Sequence, residues 1–363
     1  MTAESLADLR AQFPVLSRLA YLNAGTNGPI ASVAAAASRA QIELEEREGR
    51  GGMPFFVGYR DMMERQRAGY AAYLGAPVEQ VALTSSTTDG VGRVLVSLNL
   101  QPGDEILTSD EEHPGVTGPL AGQRARGVEV RTAPLAQLAE AIGPRTKLVA
   151  CSHVSWRSGA LAPTAALAQA PPLVLLDGAQ GVGAVPIDVA ELGADFYAGS
   201  GQKWLCGPTG SGMLWVSPQA RERLTVPTPG YLNLADPAAG LDAEPRADAG
   251  AFDTPALSSV ALAHAVAMLE LFEQTGWDAI HRRAHDLAEL AARRLAERGR
   301  TVLPRDRTTL VSWYEDDAPA RSEALLEAGV VVRFLPGDEL LRASFGGWSD
   351  EQDLERLLEA LPA

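Results

Sequence analysis

The stretch Pro172-Leu173-Val174-Leu175-Leu176-Asp177-Gly178-Ala179-Gln180 constrains the fold more than any other part of the chain. Its apolar residues follow one another without polar alternation, bounded by Pro and Gly. That pattern reads as a strand buried on both faces, the kind found in a parallel sheet covered by helices. The run ends in a carboxylate where open α/β sheets place their ligands, just beyond the carboxyl ends of the strands. Further strands are expected at 80–84, 105–109, 146–152 and 213–217, with helices at 32–48, 59–74 and 90–98. The fold class is therefore α/β.

Some two dozen residues later comes Ala198-Gly199-Ser200-Gly201-Gln202-Lys203-Trp204-Leu205-Cys206-Gly207. Lysine is rarely found fully buried, and here one stands among small residues with a hydroxyl three positions before it. An amine held beside oriented donors suits covalent chemistry with a carbonyl compound. The main candidate is the aldehyde of pyridoxal 5'-phosphate (PLP), held as a Schiff base on Lys203. Such an enzyme needs an acid opposite the pyridine nitrogen, to keep it protonated so that the ring can accept electrons. Asp177 meets that need, and Gln180 lies where it can reach the ring hydroxyl.

With both blocks in hand, the chain resembles the class V aminotransferase family (cysteine desulfurase-like, fold-type I PLP enzymes). Three further pieces are similar to its cyst(e)ine carbon–sulfur lyase and isopenicillin N epimerase-like branch. They are Tyr21-Leu22-Asn23-Ala24-Gly25, Asp110-Glu111-Glu112-His113-Pro114-Gly115 and Ser152-His153-Val154-Ser155-Trp156. The resemblance implies a mostly parallel central sheet in a large PLP-binding domain, residues 15–245. A smaller α+β domain would combine residues 1–14 and 246–363. It also implies a homodimer with active sites at the interface. By resemblance His113 stacks on the pyridine face and exchanges protons near the reacting carbon. Ser200 and Gln202 join the cofactor contacts, the backbone at Asn23 and Ala24 lines the substrate pocket, and Arg342 in Leu341-Arg342-Ala343-Ser344 holds the substrate α-carboxylate. A planar guanidinium fork matches a carboxylate.

Between the strand at 80–84 and the following helix lie Ser85-Ser86-Thr87-Thr88-Asp89. Free N–H groups, the positive end of a helix dipole and hydroxyl donors together make an anion site. The PLP phosphate is expected there, on the backbone at Thr87 and the hydroxyl of Thr88. Gly178-Ala179-Gln180-Gly181-Val182-Gly183 follows a strand, but its glycine order differs from a dinucleotide fingerprint.

Two positions depart from the family pattern. The lyase branch has Trp-Asn-Thr-Gly where this chain has Trp156-Arg157-Ser158-Gly159. Arg157 either binds a second acidic group of the substrate or points outward to a surface carboxylate. Family members have Gly-Thr where this chain has Asp253-Thr254, at the end of an irregular connection at 225–253. Thr254 either reaches the neighbouring subunit's phosphate or caps its own helix at 258–273. An amphipathic helix at 278–298 carries His281 and His285. They are expected on its exposed face, with no metal. Strands at 309–313 and 330–334 and a helix at 349–361 complete the smaller lobe.

A net charge of −15 opposes nucleic acid and anionic membranes as partners. No apolar run approaches the roughly 20 residues that cross a bilayer, and the polar, slightly acidic start is unlike a signal peptide. Two cysteines, Cys151 and Cys206, make no disulfide framework, so a cytoplasmic location is expected. A cysteine desulfurase carries sulfur on a mobile cysteine in its C-terminal third, and no cysteine follows Cys206. Direct β-elimination from a cysteine-type amino acid is thus the first expectation. Epimerase or transaminase chemistry is the alternative within the family, and a non-catalytic PLP-fold binding protein the alternative outside it.

Overall fold

In the computed structural model, residues 3–226 and 229–362 are described; Pro227 and Thr228, within the expected connection at 225–253, lie outside them. The first half of the chain runs α1 (Ala3–Ala11), β1 (Ala20–Tyr21), α2 (Ser32–Glu48), α3 (Met53–Leu74), β2 (Val81–Thr84), α4 (Thr87–Ser97), β3 (Glu105–Ser109), α5 (Pro114–Ala125), β4 (Glu129–Ala133) and β5 (Thr146–Ser152). Next come α6 (Thr164–Leu167), β6 (Leu173–Asp177), β7 (Phe196–Ser200), β8 (Gly212–Val216) and α7 (Pro218–Arg221). The remainder is α8 (Ser259–Thr275), α9 (Trp277–Glu297), β9 (Leu310–Tyr314), α10 (Ala318–Glu327), β10 (Val330–Val331), β11 (Arg333–Leu335), β12 (Leu340–Ser344) and α11 (Glu351–Ala360).

Seven strands form the central sheet in the order β2-β8-β7-β6-β5-β3-β4. The pairs from β4 across to β7 are parallel, and β8 runs antiparallel to both its neighbours. All five residues of β6 are buried, as an unbroken apolar strand requires. Its side chains divide between two apolar layers: Val174 and Leu176 pack with α3, Leu173 and Leu175 with α4 and α5. The connection from β3 leads outward to β4, whereas β5 lies on the other side of β3 and leads on to β6. The chain order therefore reverses between β3 and β5, and the loops that diverge there open the crevice such sheets use for ligands.

The smaller lobe is an antiparallel sheet, β11-β12-β9, with α9 and α11 against it. The expected strand at 330–334 is two strands. Val330 and Val331 pair with Ala20 and Tyr21 of β1, while Arg333–Leu335 pairs with β12. The N-terminal segment thus contributes to this lobe well past residue 14. Helix α3 starts six residues earlier than expected, because Pro54 stands in its first turn where a missing N–H breaks no bond. Helix α4 starts at Thr87, because the Ser86 hydroxyl accepts the Asp89 N–H and caps it.

His281 and His285 correct the expectation of an exposed pair, for both are buried where α9 meets the large lobe. His285 Nε2 lies 2.9 Å from the Ala184 carbonyl and His281 Nε2 lies 3.2 Å from the Tyr73 hydroxyl. A helix between two lobes has no wet face at such positions. Among the described residues no cluster of His, Cys, Asp or Glu could hold a metal, and no helix is long and apolar enough to cross a membrane.

The connection at 225–253 is tied down at its end. Asn233 donates to the carbonyls of Gly250 and Asp253, both at 2.9 Å. Asp253 accepts from Arg67 through both carboxylate oxygens, at 3.0 and 2.9 Å, and from the Leu83 N–H at 2.8 Å. This ion pair is nearly inaccessible, with Arg67 at 3% and Asp253 at 1% exposure. It accounts for the Asp that departs from the family's Gly-Thr. Removing one partner of a buried pair strands the other charge, so Asp253→Ala should cost about 3–5 kcal/mol in urea unfolding.

Candidate active site

Several loops converge at the carboxyl end of the central sheet. The turn after β7 holds Lys203, closed by the Gly207 N–H donating to the Gly201 carbonyl at 2.9 Å and by Cys206 donating to the Lys203 carbonyl at 3.1 Å. The segment 23–28 lies against this turn, with the Gly28 N–H on the Gln202 carbonyl at 2.8 Å. A Cβ at position 28 would stand 2.3 Å from the Lys203 carbonyl oxygen, so only glycine permits the approach.

Asp177 ends β6, 5% exposed, with one carboxylate oxygen accepting from the Ala179 N–H at 2.7 Å. Burial pushes its pKa up, and the charge of Lys203 draws it back down. Burial likewise lowers the Lys203 ammonium from 10.5 to about 8, with Asp177 opposing the shift and Arg342 adding to it. The two groups lie within each other's field, and a neutral amine is accessible near neutral pH.

His113 occupies the N-cap of α5, where its Nδ1 accepts the Gly115 N–H at 2.9 Å. That bond places the proton of the neutral ring on Nε2. Desolvation and the charges of Lys203, Arg342 and Arg333 hold its pKa down at about 4, so the ring is neutral at pH 7. It meets Trp156 edge-on, with centroids 5.0 Å apart.

Glu111 and Glu112 tie the His113 loop to the loop after β5. Glu112 accepts from the Ser152 N–H at 2.9 Å, from the Ser152 hydroxyl at 2.7 Å and from the Ser109 hydroxyl. Glu111 accepts from the hydroxyls of Ser155 and, at 2.6 Å, Ser158. Loss of water outweighs the donors at Glu112 and pushes its pKa up to about 7, with Asp177 adding to the rise.

At the start of α4, Thr87 is buried, its hydroxyl 2.6 Å from Ser200 Oγ, while Thr88 is exposed on the first turn. An eleven-residue helix thus points its N-terminus and a free-facing threonine into the crevice. Thr254 does not cap its own helix, since Ser258 does. Its hydroxyl donates to Asp89 in this same turn, and its N–H to the Leu83 carbonyl at 2.7 Å.

Gln180 is more constrained than its sequence position suggests. It donates to the Gly25 carbonyl at 2.8 Å and accepts from Trp204 Nε1 at 2.9 Å, bracing the two loops that flank Lys203. Asn23 Oδ1 accepts from Thr26 Oγ1 at 2.7 Å, and Ala24 is buried.

Arg342, on β12, is 2% exposed. One terminal nitrogen donates to the Trp156 carbonyl at 2.7 Å, the other reaches Thr26 Oγ1 at 3.5 Å, and Nε has no partner. No carboxylate pairs with it among the described residues. Burial and the charge of Arg333 depress its pKa. A buried guanidinium left without a counter-ion is costly unless an anionic ligand completes it. Ser344 Oγ and Gln202 Oε1 are also buried without partners.

Arg157, by contrast, has a carboxylate partner. It donates to both oxygens of Asp338, at 2.9 and 3.2 Å, and so takes the outward-pairing course. The residue that sequence reasoning missed is Arg333, directly opposite Arg342 on β11 and without a carboxylate among the described residues. Its signal was a lone charge inside the apolar run Val330–Leu335. Trp156 was noted only as a motif, yet it touches His113 and binds Arg342.

The set fits PLP. A depressed lysine, a buried acid at a strand end, a helix N-terminus and unpartnered buried polar atoms provide an attachment point, a partner for a cationic ring nitrogen and an anion cradle.

The aminotransferase class-V family model matches residues 21–357. Isopenicillin N epimerase of Streptomyces clavuligerus is 30% identical over 339 residues, covering 83% of this chain and 84% of that protein. A probable cysteine desulfurase of Pseudomonas aeruginosa is 33% identical over 336 residues, covering 82% and 80%. Two solved structures of C-DES align with a TM-score of 0.90 and 27% identity, covering 96% of this chain and 98% of theirs. One is a complex of this cystine C–S lyase with its reaction product cysteine persulfide, the other a lysine mutant with glycine covalently linked to the PLP cofactor.

Two pH experiments follow from these groups. Borohydride trapping of an added aromatic aldehyde on Lys203, read by mass, should reach half-maximum near pH 8. A midpoint near the ordinary 10.5 would contradict the burial of the amine. For Glu112 the folded chain keeps a proton that the unfolded chain releases, between the ordinary 4.5 and about 7. Its contribution to stability therefore falls as pH rises through that window, by on the order of 3 kcal/mol. Denaturant midpoints of Glu112→Gln measured at pH 5 and 8 should show a flatter profile than the parent chain.

Proposed function

The chain belongs to the aminotransferase class-V family, and on that premise we propose that it eliminates a sulfur group from the β-carbon of a cysteine-type α-amino acid. It is a PLP-dependent enzyme. Lys203 would hold the cofactor covalently, with Asp177 facing the ring nitrogen, His113 against the ring, and Thr87, Thr88 and Ser200 at the phosphate. Bound in this way, PLP supplies an electron sink for the charge left when Cα loses its proton.

The observation that carries the reading is the uncompensated Arg342 beside a lysine whose pKa burial lowers to about 8. Arg342 binds and orients the α-carboxylate through a charge-assisted fork. Lys203 Nζ, once released by the incoming amine, takes the α-proton as general base. The Cβ–S bond then breaks with its electron pair on sulfur, which leaves protonated as a thiol or persulfide, and hydrolysis yields pyruvate and ammonia. His113 passes a proton only through Nε2, since Nδ1 is occupied. Its neutral ring avoids repulsion against a cationic pyridine, which an imidazolium would not.

Elimination without a persulfide relay is supported by the cysteines. Cys151 and Cys206, the only two in the sequence, are both buried, and the turn from 336 to 339 between the arginine strands has none. Likeness to isopenicillin N epimerase favours a second reading, in which the same α-proton is removed and returned on the opposite face. A homodimer belongs to the proposal as well. An apolar surface at Met53, Phe56, Val57 and Tyr231, exposed in the single chain, supports it. The division near residue 245 and a cytoplasmic location are further parts of the proposal.

The test is the PLP-loaded protein with cysteine, cystine and related amino acids, following keto acid, thiol and α-proton exchange in deuterated water. Keto acid with thiol supports elimination, exchange without keto acid supports epimerisation, and no reaction with any amino acid leaves only a binding protein. Lys203→Ala should lower turnover by about 10²–10⁴-fold, as loss of a general base does. Arg342→Gln should lower kcat/KM by about 30-fold or more, as for a buried charged contact.

A further inference from the structure

Successive residues of the loop after β5 dock onto the smaller lobe. The Trp156 carbonyl accepts from Arg342 on β12 at 2.7 Å, and the Arg157 carbonyl from Ser312 on β9 at 2.6 Å. The Gly159 carbonyl accepts from the Thr308 hydroxyl at 2.9 Å. These three ties reach the middle of the sheet or the approach to β9. The fourth reaches the far end: Arg157 grips Asp338 in the turn that joins β11 to β12, through two hydrogen bonds of 2.9 and 3.2 Å.

That hairpin needs restraint. β11 is a three-residue edge strand, and it sets Arg333 directly opposite Arg342. Like charges facing each other across a strand pair are destabilising. The turn between them contains Gly337 at φ +88°, a backbone that only glycine adopts without strain. An exposed ion pair contributes little to folding stability. This one is about one-third exposed, so its consequence is positional, because a bidentate fork fixes orientation as well as distance.

We propose that Arg157 and Asp338 are a positioning pair, a latch that holds the β11–β12 hairpin against the loop after β5 and thereby sets Arg342 and Arg333 for the substrate. The inference rests on the substrate-carboxylate role given to Arg342 above. It opposes the other use of Arg157, as a direct ligand for a second acidic group. Asp338 separates the two. As half of a latch, its loss harms binding; as a competitor for a substrate-binding arginine, its loss improves binding of diacids.

The experiment compares Arg157→Asp, Asp338→Arg, Asp338→Asn and the charge-swapped double variant in the full, PLP-loaded chain. Hydrogen–deuterium exchange of residues 333–342 is measured without any amino acid, and KM and kcat with the substrate found above. The single variants should exchange about two- to five-fold faster in the hairpin, in line with an exposed ion pair. They should raise KM about three- to ten-fold with kcat within two-fold, and the swap should restore both readouts. Tighter binding of a diacid amino acid by Asp338→Asn would overturn the latch. So would single variants that exchange like the parent, or a swap no better than either single change. Faster exchange rescued by the swap, in a protein that turns over no amino acid, would keep the latch and sink the functional reading instead.

Discussion

Asp177 and Lys203 are opposite charges withdrawn from water at the carboxyl edge of one sheet, and each is kept ionisable by the other. Burial alone favours the neutral acid and the neutral amine; their mutual field opposes both shifts. What remains is an amine that titrates near neutrality beside a carboxylate ready to face a cation. The sheet places the acid, since β6 is central and ends where the crevice opens. The glycine at position 28 lets the segment 23–28 pack closely against the lysine turn.

Around this pair the site is built from braces as much as from reactive groups. Gln180 spans from Trp204 to Gly25, and Glu111 and Glu112 join the His113 loop to serines of the loop after β5. Each loop of the large lobe is thereby fastened to its neighbour by buried or half-buried polar bonds, which are strong where water is excluded. The smaller lobe adds two arginines on one hairpin. Among the described residues no carboxylate pairs with either, which is the condition expected of a pocket whose counter-ion arrives with the ligand.

The departures from the family pattern each form an ion pair within the chain. Asp253, standing where Gly is usual, binds Arg67 and the edge of β2 and so places Thr254 beside Asp89. Arg157, standing where Asn is usual, pairs with Asp338. Both are charged residues whose ion-pair partners lie more than 180 positions away, so no local pattern could reveal the pairing. The same holds for His281 and His285, whose neighbouring arginines suggested a wet face until a second lobe covered it.

The sequence by itself determined five of the seven strands of the central sheet, the lysine and the acid, and a helix opening soon after the strand at 80–84, because each is written in a short run of residues. Apolar continuity, a cap, or glycines flanking a reactive side chain act over a few positions and can be read there. Tertiary structure alone decided which arginine is free and which is paired, that Gln180 is a brace, and that Arg333 stands across from Arg342. Those outcomes depend on which strands become neighbours and on how much water remains between them. Charge compensation and burial are properties of the packed molecule, and a linear chain does not carry them.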